Sequence, residues 1–175
     1  QEVHIERAQR RGYVGNIYKG KVSRVMPGMQ AAFVEIGLSR TAFIHLNEVR
    51  LGAAGTRPAA IHELHEGQSI TVQVMKDMMG TKGARLTMDL SIPSRYLVYM
   101  PFGDQVGISQ KIEDEVEREH LKQQIRSLRA ESPDELGGGF IVRTVAEGVQ
   151  DAELRHDMDF LLKLWRHVRE RALVT

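Results

Sequence analysis

The chain contains 175 residues, of which 42% are hydrophobic and 27% charged, enough for one ordinary domain or two small ones. Mean hydropathy is -0.31, and no apolar run approaches the roughly 20 residues of a membrane helix, which excludes a spanning segment. Lysine and arginine number 24 against 23 acidic residues, so bulk positive charge cannot drive binding to a polyanion. Any nucleic-acid site therefore has to be local.

Cysteine is absent, which removes disulfides, thiolate zinc ligands and thiol nucleophiles from the possible chemistry. A reducing cytoplasm suits such a chain. The sequence begins at Gln1 without an initiator methionine, lacks the apolar stretch of a signal peptide, and ends at Thr175 just after an apparent helix. These features predict a cytoplasmic segment of a longer protein.

Five short segments rich in β-forming residues follow one another in the first half of the chain. Pro27-Gly28 predicts a turn between the first two, and the GTKG run at residues 80–83 predicts a hairpin between the last two. The longest connection, residues 47–67, lies between the third and fourth segments. Five strands with this spacing predict an OB-type barrel. The predicted strands are residues 16–25, 29–37, 40–46, 69–76 and 84–90.

After Pro93 the pattern changes to a mixture of strands and helices. Asp114, followed three residues later by Glu117, predicts a capped helix start. The triple glycine at 137–139 precedes a predicted strand, Phe140–Val145, and a second amphipathic helix follows, so a small α+β unit is expected from about residue 91 onward. The predicted apolar stripes are Val116, Leu121, Ile125 and Leu128 in the first helix, and Met158, Leu161, Leu162, Trp165 and Val168 in the second.

Side-chain alternation along the strands gives the first indication of a binding surface. One face of the second and third predicted strands is aliphatic, which marks it as the core face. Phe33 and Phe43 point the opposite way, together with His45, and Lys19 and Lys21 lie on the outer face of the first strand. The aliphatic positions are Ala32, Val34 and Ile36 in the second strand and Ala42, Ile44 and Leu46 in the third.

Outward aromatic rings beside a histidine and two lysines fit a platform for single-stranded nucleic acid. Bases stack on such rings with about 1 to 3 kcal/mol each, while ammonium groups hold phosphates. The alternative is that Phe33 and Phe43 pack beneath the 47–67 connection or against the second unit. Six basic against two acidic residues through Arg24 favour an anionic partner there. Between 101 and 135, nine acidic residues outnumber five basic ones, so no phosphate contact is expected in that region.

Arg143 and Thr144 close the predicted strand that follows the triple glycine. A guanidinium beside a hydroxyl can bind a terminal phosphate, although such a pair, taken alone, is more often a salt bridge and a turn. His62 and His65 lack the four-residue spacing and the third ligand of a zinc site. The sequence contains no Walker loop, nucleophile elbow or paired aspartates for two-metal chemistry. We therefore predict no catalytic residue and no metal site in this chain.

Six stretches of the sequence resemble the N-terminal part of the ribonuclease E/G family. They occur in the family's order at matching separations and together cover essentially the whole chain, which makes the resemblance far more specific than any one stretch. These stretches are GNIYKGKVSRVMPGMQAAFVEIG, TAFIHL, GTKGARLT, PSRYLVYMP, VGISQKIE and GGGFIVRTVAEG.

The resemblance implies a division of the chain into three parts. Residues 1–14 would be the edge of a ribonuclease H-like subdomain or a linker to it. Residues 15–90 would be an S-one type OB domain that binds RNA, and residues 91–175 a 5'-sensor region of α+β structure. The fold class expected is therefore mixed β and α+β, with a five-stranded barrel followed by a small sensor unit.

The resemblance also implies roles for individual residues. Phe33 and Phe43 would be the aromatic RNA contacts of the barrel and Lys82 its basic loop contact. Arg143, Thr144 and Val98 would form the 5'-monophosphate pocket, and Ser94 stands beside it where other family members have a glycine. Together with the platform inferred from alternation, the predicted RNA-binding residues are Phe33, Phe43, Lys82, Lys19, Lys21 and His45.

For the parent protein, the resemblance implies a magnesium-dependent endoribonuclease that cuts single-stranded RNA in ribosomal RNA processing and messenger RNA decay, with a preference for 5'-monophosphorylated ends. The family's magnesium-binding aspartates and zinc-linking cysteines would lie beyond this segment, which alone is expected to bind RNA without cutting it. Homo-oligomers are expected only with those other parts. The alternatives are a non-enzymatic OB-type RNA-binding module of a translation or transcription factor, and a protein-interaction barrel.

Overall fold

The chain divides into two compact units, residues 1–90 and 91–175. The computed structural model describes residues 12–51, 57–58, 61–132 and 137–174. Most of the segment predicted as a subdomain edge, residues 1–14, lies outside the described residues. Each unit has its own sheet and its own core.

Five strands of the first unit form a closed barrel. They are β1 (Ile17–Met26), β2 (Ala31–Glu35), β3 (Ala42–His45), β6 (Ser69–Lys76) and β7 (Arg85–Thr87). Their order around the barrel is β1-β2-β3-β7-β6, and of the five neighbouring pairs only β3 and β7 run parallel. This topology confirms the predicted five-stranded OB-type barrel.

The connection between β3 and β6 contains structure that the sequence pattern does not predict. A 3-10 turn, Leu46–Glu48, leads into a two-stranded antiparallel sheet of β4 (Arg50–Leu51) and β5 (Arg57–Pro58), and a second 3-10 turn, Ile61–Glu63, follows. Strands of two residues are too short for alternation to reveal them. The connection is therefore folded rather than a plain loop.

The barrel core is aliphatic and contains the inward positions that alternation predicts. Val34, Ala42, Ile44 and Leu86 are fully buried, and Leu46 packs against the same cluster while remaining partly exposed. Burying a side chain of this size contributes about 1.5 to 3 kcal/mol. Because inward positions fill the core, the barrel fixes which residues of each strand face outward.

The second unit is a four-stranded sheet covered by two helices, which confirms the predicted α+β structure. The strands are β8 (Ile92–Pro93), β9 (Leu97–Met100), β10 (Val106–Ile108) and β11 (Gly139–Val142), and the helices are α1 (Glu115–Glu131) and α2 (Asp151–Val174). Their order is β10-β11-β9-β8, with β10 parallel to β11 at one edge. Helix α1 packs against β10 and β11, and α2 packs against β9. Within the described part of the chain, no helix is long and apolar enough to cross a membrane.

The start of α1 follows the predicted signal only in part. The Asp114 carboxylate accepts a hydrogen bond from the Val116 N–H (2.9 Å), which confirms the N-cap. Glu117 accepts from the Gly148 N–H (3.1 Å), so it ties α1 to the segment before α2. Val116 itself is 79% exposed, and its predicted place in the apolar stripe is wrong. At 3.6 residues per turn it lies about 140° away from Leu121 on the helix.

The predicted strand Phe140–Val145 is also too long. Strand β11 ends at Val142, and Thr144–Ala146 form a 3-10 turn that leaves Val145 exposed. The N–H of Ala146 donates to the Arg143 carbonyl (3.0 Å), which bends the chain out of the strand. Arg143 and Thr144 therefore occupy a bend rather than a strand end.

The triple glycine is built into the core of the second unit. Gly138 has a φ of +92°, and a Cβ there would lie 2.4 Å from the buried Tyr99 ring. The Tyr99 hydroxyl donates to the Gly137 carbonyl (3.0 Å). Position 138 therefore has to be glycine for the backbone to pass over this ring.

Gly83 supplies the first test of the fold, because it lies where the β6–β7 hairpin meets β3. A Cβ at this position would lie 1.9 Å from the Thr41 carbonyl oxygen, a backbone atom that cannot move away without shifting β3. We expect Gly83→Ala to lower the free energy of unfolding by roughly 1 to 3 kcal/mol, measured by urea denaturation.

Gly28→Ala is the matched control, because no neighbouring atom lies within 4 Å of a Cβ built there and its φ is outside the left-handed region. Its free energy of unfolding should stay within about 0.5 kcal/mol of the parent. Equal losses in the two variants would contradict the proposed clash.

Candidate nucleic-acid interface

The outer face of β2 and β3 carries the two phenylalanines in register. Phe33 lies directly opposite Phe43 in the antiparallel pair, and both side chains are half-buried and lie outside the core cluster. The His45 ring meets the Phe43 ring edge to face, with centroids 5.6 Å apart and 86° between the planes. The three rings form one outer surface, as alternation predicts.

These rings line a concavity with a volume of about 640 Å³, which we call the barrel concavity. Its walls combine aromatic and thioether side chains, which suit a nucleobase, with two cationic groups, which suit a phosphate. The concavity is lined by Met26, Met29, Phe33, Arg40, Thr41, Phe43, His45 and Lys82, among others.

Lys82 reaches the concavity because the β6–β7 hairpin is fixed to β3. Met79 and Lys82 exchange two backbone hydrogen bonds (3.1 and 2.8 Å) that close the hairpin tip. The Phe43 N–H then donates to the Ala84 carbonyl (2.9 Å). The absence of a side chain at Gly83 permits this approach, so the tight hairpin sets Lys82 beside Phe43.

Lys19 and Lys21 are exposed, as predicted, but they do not line the concavity. Lys19 lies opposite Thr71 of β6, and Lys21 lies opposite Glu35 of β2, beyond the register shift that follows Val22. The structure therefore brings together Phe33, Phe43, His45 and Lys82 and leaves the two lysines on another part of the outer surface.

Sequence reasoning missed Met26, Met29, Arg40 and Arg85. Arg40 comes from the β2–β3 loop, and its direction depends on that loop rather than on strand alternation. Arg85 lies opposite Phe43 in the β3–β7 pair, and its Nε is buried with no hydrogen-bond partner in the described part of the chain. Alternation on β7 could have indicated Arg85, because Leu86 beside it is apolar and inward.

A second polar cluster, which we call the bend cluster, lies in the second unit. The Arg143 guanidinium donates to the Ser94 carbonyl (2.5 Å), and its backbone N–H donates to the Tyr96 carbonyl (2.8 Å). The Thr144 and Ser109 hydroxyls lie 2.8 Å apart. Arg143 and Thr144 are exposed and Ser109 is half-buried, so the guanidinium and the Thr144 hydroxyl are accessible to solvent. The bend cluster consists of Ser94, Ser109, Arg143 and Thr144.

Val98 lies on the sheet beside this cluster. It pairs with Ile141 in the β9–β11 register, and both side chains are on the sheet face opposite the buried Tyr99 and Phe140. Ile141 is 37% exposed and Val98 is half-buried. The sheet thus provides an apolar surface close to the exposed guanidinium, and Ile141 is part of it although the sequence did not indicate this residue.

A buried carboxylate on α2 holds the loop that carries Ser94. Asp157 Oδ2 accepts hydrogen bonds from the Ser94 hydroxyl (2.5 Å), the Tyr96 N–H (2.9 Å) and the Leu97 N–H (3.1 Å). Asp157 is only 7% exposed, so its charge depends on these donors. The loop that carries the Ser94 carbonyl is therefore fixed to α2.

Arg118 of α1 fixes the opposite side of the bend cluster. Its guanidinium donates to the carbonyls of Ser109 (2.7 Å) and Ile112 (2.9 Å). These bonds anchor the chain between β10 and α1, which carries the Ser109 hydroxyl. The two loops that meet at the cluster are thus each held by one charged helix side chain.

Tyr96 adds a hydrogen bond between the same loop and α2. Its hydroxyl donates to Glu153 Oε2 (3.1 Å). Partial burial and then this hydrogen bond raise the pKa of Tyr96 above its ordinary value. The hydroxyl therefore stays protonated, and keeps donating, throughout the neutral pH range.

We expect Asp157→Asn to destabilise the second unit, because a neutral amide oxygen accepts hydrogen bonds from the three converging donors more weakly than a carboxylate oxygen does. The free energy of unfolding should fall by about 1 to 3 kcal/mol, measured by thermal or urea denaturation. Asp159→Asn, an exposed position on the same helix, is the control and should change it little. Equal stabilities for the two variants would show that Asp157 does not hold the loop.

Two family models match the chain, one for each unit. The ribonuclease E/G family matches residues 91–174, and the S1 RNA binding domain matches residues 13–89. The first match contains the bend cluster and the second contains the barrel concavity. Together they account for nearly all of the described residues.

Curated relatives extend over almost the whole chain. Ribonuclease G of Escherichia coli (strain K12) is 52% identical over 98% of this chain and 36% of that protein. Ribonuclease E of Nostoc sp. is 39% identical over 93% of this chain and 23% of that protein. Among solved structures, GSP13 from Bacillus subtilis is 24% identical with a TM-score of 0.34, over 43% of this chain and 54% of that chain. The chain thus spans about a third of the length of its ribonuclease G relatives.

Proposed function

Because residues 91–174 match the ribonuclease E/G family and residues 13–89 match the S1 RNA binding domain, we propose that the chain is the RNA-binding, N-terminal part of an endoribonuclease. The observation that carries this proposal is the barrel concavity, where Phe33 and Phe43 lie opposite each other with Lys82 and Arg40 on its walls. Rings that face outward bind bases, and adjacent cations bind phosphates. A relative named ribonuclease at 52% identity supports the same assignment.

The proposed ligand of the barrel is single-stranded RNA. A base can stack on Phe33 or Phe43 only when it is not paired inside a helix, because stacking requires that its flat face be accessible. Met26 and Met29 would contact the other side of an inserted base through polarizable sulfur. Arg40 and Lys82 would hold the flanking phosphates.

The proposed ligand of the bend cluster is a 5'-terminal monophosphate. The Arg143 guanidinium keeps further N–H groups beyond the one bonded to Ser94. Of the Thr144 and Ser109 hydroxyls, one donates to the other, which leaves one hydroxyl hydrogen for a phosphate oxygen. Val98 and Ile141 would contact the first nucleoside. A hydroxyl end offers these donors no charge to bind, which would give a preference for phosphorylated ends.

For the parent enzyme, we propose hydrolysis of RNA in ribosomal RNA processing and messenger RNA decay, in the cytoplasm, with this segment binding and orienting the substrate. In the described ranges, no three acidic, histidine or cysteine side chains converge as a metal site would require. We propose that metal-dependent cleavage and assembly into homo-oligomers belong to other parts of the parent protein.

Replacing Phe43 by leucine tests base stacking, because leucine fills volume without offering a flat ring. We expect Phe43→Leu and Phe33→Leu each to weaken binding of a short single-stranded 5'-hydroxyl RNA by about 1 to 3 kcal/mol, measured by fluorescence anisotropy at fixed salt. Tyr13→Leu, an exposed aromatic outside the concavity, is the control. Unchanged RNA affinity in both phenylalanine variants would favour a protein-interaction barrel instead.

Arg143→Ala tests recognition of the 5' end. We expect the unsubstituted 175-residue chain to bind a 5'-monophosphorylated oligonucleotide more tightly than its 5'-hydroxyl counterpart. Arg143→Ala should abolish this difference without changing 5'-hydroxyl binding. Lys163→Ala, an exposed cation on α2, should retain the difference. Equal binding of the two oligonucleotides by the parent chain would contradict the sensor role and leave a simple RNA-binding module.

A further inference from the structure

A groove of about 710 Å³ in the second unit lies between α1 and the edge strand β10. We call it the α1–β10 groove. Asp104, Gln105 and Val106 line its strand side, and Lys122, Arg126 and Arg129 line its helix side. None of these residues belongs to the barrel concavity or to the bend cluster.

The three cations of the groove form one row along α1. Positions 122, 126 and 129 follow the i, i+4, i+7 spacing that brings side chains onto one face of a helix. Each of them directly follows a buried residue, namely Leu121, Ile125 and Leu128. The apolar stripe faces the core, so the basic row lies at its border, beside the sheet edge. Over the seven residue-to-residue steps from Lys122 to Arg129 it extends roughly 10 Å.

Several other cations of the second unit are engaged in hydrogen bonds or ion pairs. Arg118 donates to main-chain carbonyls, Arg143 donates to Ser94, and Arg155 forms an ion pair with Glu131. Among the described residues, by contrast, the side chains of the basic row make no hydrogen bond and no ion pair. Of the described residues that line the groove, Asp104 alone is acidic. Three cations thus face one carboxylate, and the groove has a local positive charge.

The strand side contributes a backbone donor. Among the described strands, β10 pairs only with β11. The Gln105 carbonyl accepts from the Phe140 N–H (3.0 Å), and the Ser109 N–H donates to the Val142 carbonyl (2.8 Å), so these odd-numbered positions face β11. Because backbone groups alternate along a strand, the Val106 N–H points to the open edge. A backbone N–H beside a row of cations is a suitable contact for an anion.

We propose that the α1–β10 groove binds the phosphate backbone of RNA, at a second site in this unit that is independent of the 5' end. The inference rests on the proposed RNA-binding function. Val106 and Ser109 are three residues apart on one strand, which separates the groove from the bend cluster by about 10 Å. The groove contains no aromatic ring, so it would hold phosphates without reading bases.

The composition of the groove favours nucleic acid over an acidic protein segment. Protein interfaces have a largely apolar centre, whereas protein–nucleic acid interfaces are polar and positively charged. The apolar side chains lining this groove are Val106 and Ala130. Strand β10 has only three residues and follows Asp104, features that disfavour addition of a strand from another protein.

The structure also explains why the charge count over residues 101–135 predicts no phosphate contact there. The acidic residues between Glu113 and Glu119 occupy the start of α1 and the turn before it, and no acidic residue occurs from His120 to Ala130. The helix therefore separates an acidic start from a basic second half. A net count over the region averages the two and conceals the groove.

The test is a double neutralisation in the full 175-residue chain, Lys122→Gln with Arg126→Gln. Glutamine has similar helix propensity, so α1 should be retained. With a single-stranded 5'-hydroxyl RNA as the probe, we expect roughly fivefold to tenfold weaker binding at 0.1 M salt. The slope of log affinity against log salt concentration should become shallower by about 1.4, as expected for two lost phosphate contacts on a single strand.

The matched control is Lys163→Gln with Arg169→Gln, which removes two exposed cations from α2 and produces the same net charge. It should change the salt slope little. Equal effects in the two double variants would reduce the result to net charge and overturn the proposal. An unchanged groove variant beside a weakened Phe43→Leu variant would overturn the groove while leaving the barrel function intact.

Two further results would also overturn the proposal. If the unsubstituted 175-residue chain does not bind RNA, both the proposed groove site and the proposed function are contradicted. If the groove variant loses binding to a polyglutamate peptide but keeps its RNA affinity, the groove is a site for acidic protein segments. Loss of the same factor for 5'-monophosphorylated and 5'-hydroxyl RNA would support a contact that is separate from the bend cluster.

Discussion

Closure of the five-stranded barrel is the constraint on which the first unit depends. Once Val34, Ala42 and Ile44 fill the interior, their neighbours in the strands have to face outward. Phe33 and Phe43 are therefore held at the surface by the same packing that stabilises the fold, and the pairing of β2 with β3 sets one ring opposite the other. The cost of exposing two aromatic side chains is tolerated because the core is complete without them.

The second unit orders its surface differently, through charged groups bonded to backbone. The Asp157 carboxylate accepts hydrogen bonds from N–H groups of the Ser94–Leu97 loop, and Arg118 donates to carbonyls of the chain between β10 and α1. Each ion is satisfied by main-chain dipoles rather than by an opposite charge. The helices thereby position two loops whose own residues make few regular hydrogen bonds, and the bend cluster forms where these loops meet.

Structural features that follow from strand or helix periodicity could be predicted from the sequence. Features that depend on the conformation of loops could not. Alternation identified the outward direction of Phe33 and Phe43, and helical spacing identified the buried Leu121, Ile125 and Leu128, because both periods follow from backbone geometry. Arg40 in the concavity, the long-range bond from Arg143 to Ser94, and the position of the basic row beside β10 depend on how separate segments fold together. Composition cannot indicate these features, because a net charge count sums charged residues that lie far apart in the folded chain.

The bond between the Arg143 guanidinium and the Ser94 carbonyl would have an entropic consequence for the phosphate recognition that we propose. A long side chain normally loses rotamer freedom when it grips a ligand, and this loss weakens the complex. Here one N–H of the planar fork is already committed to the backbone, so the side chain is ordered during folding and the remaining donors wait in a fixed plane. A lysine ammonium also has three donors, but its flexible stem would not hold them in a fixed plane toward a ligand.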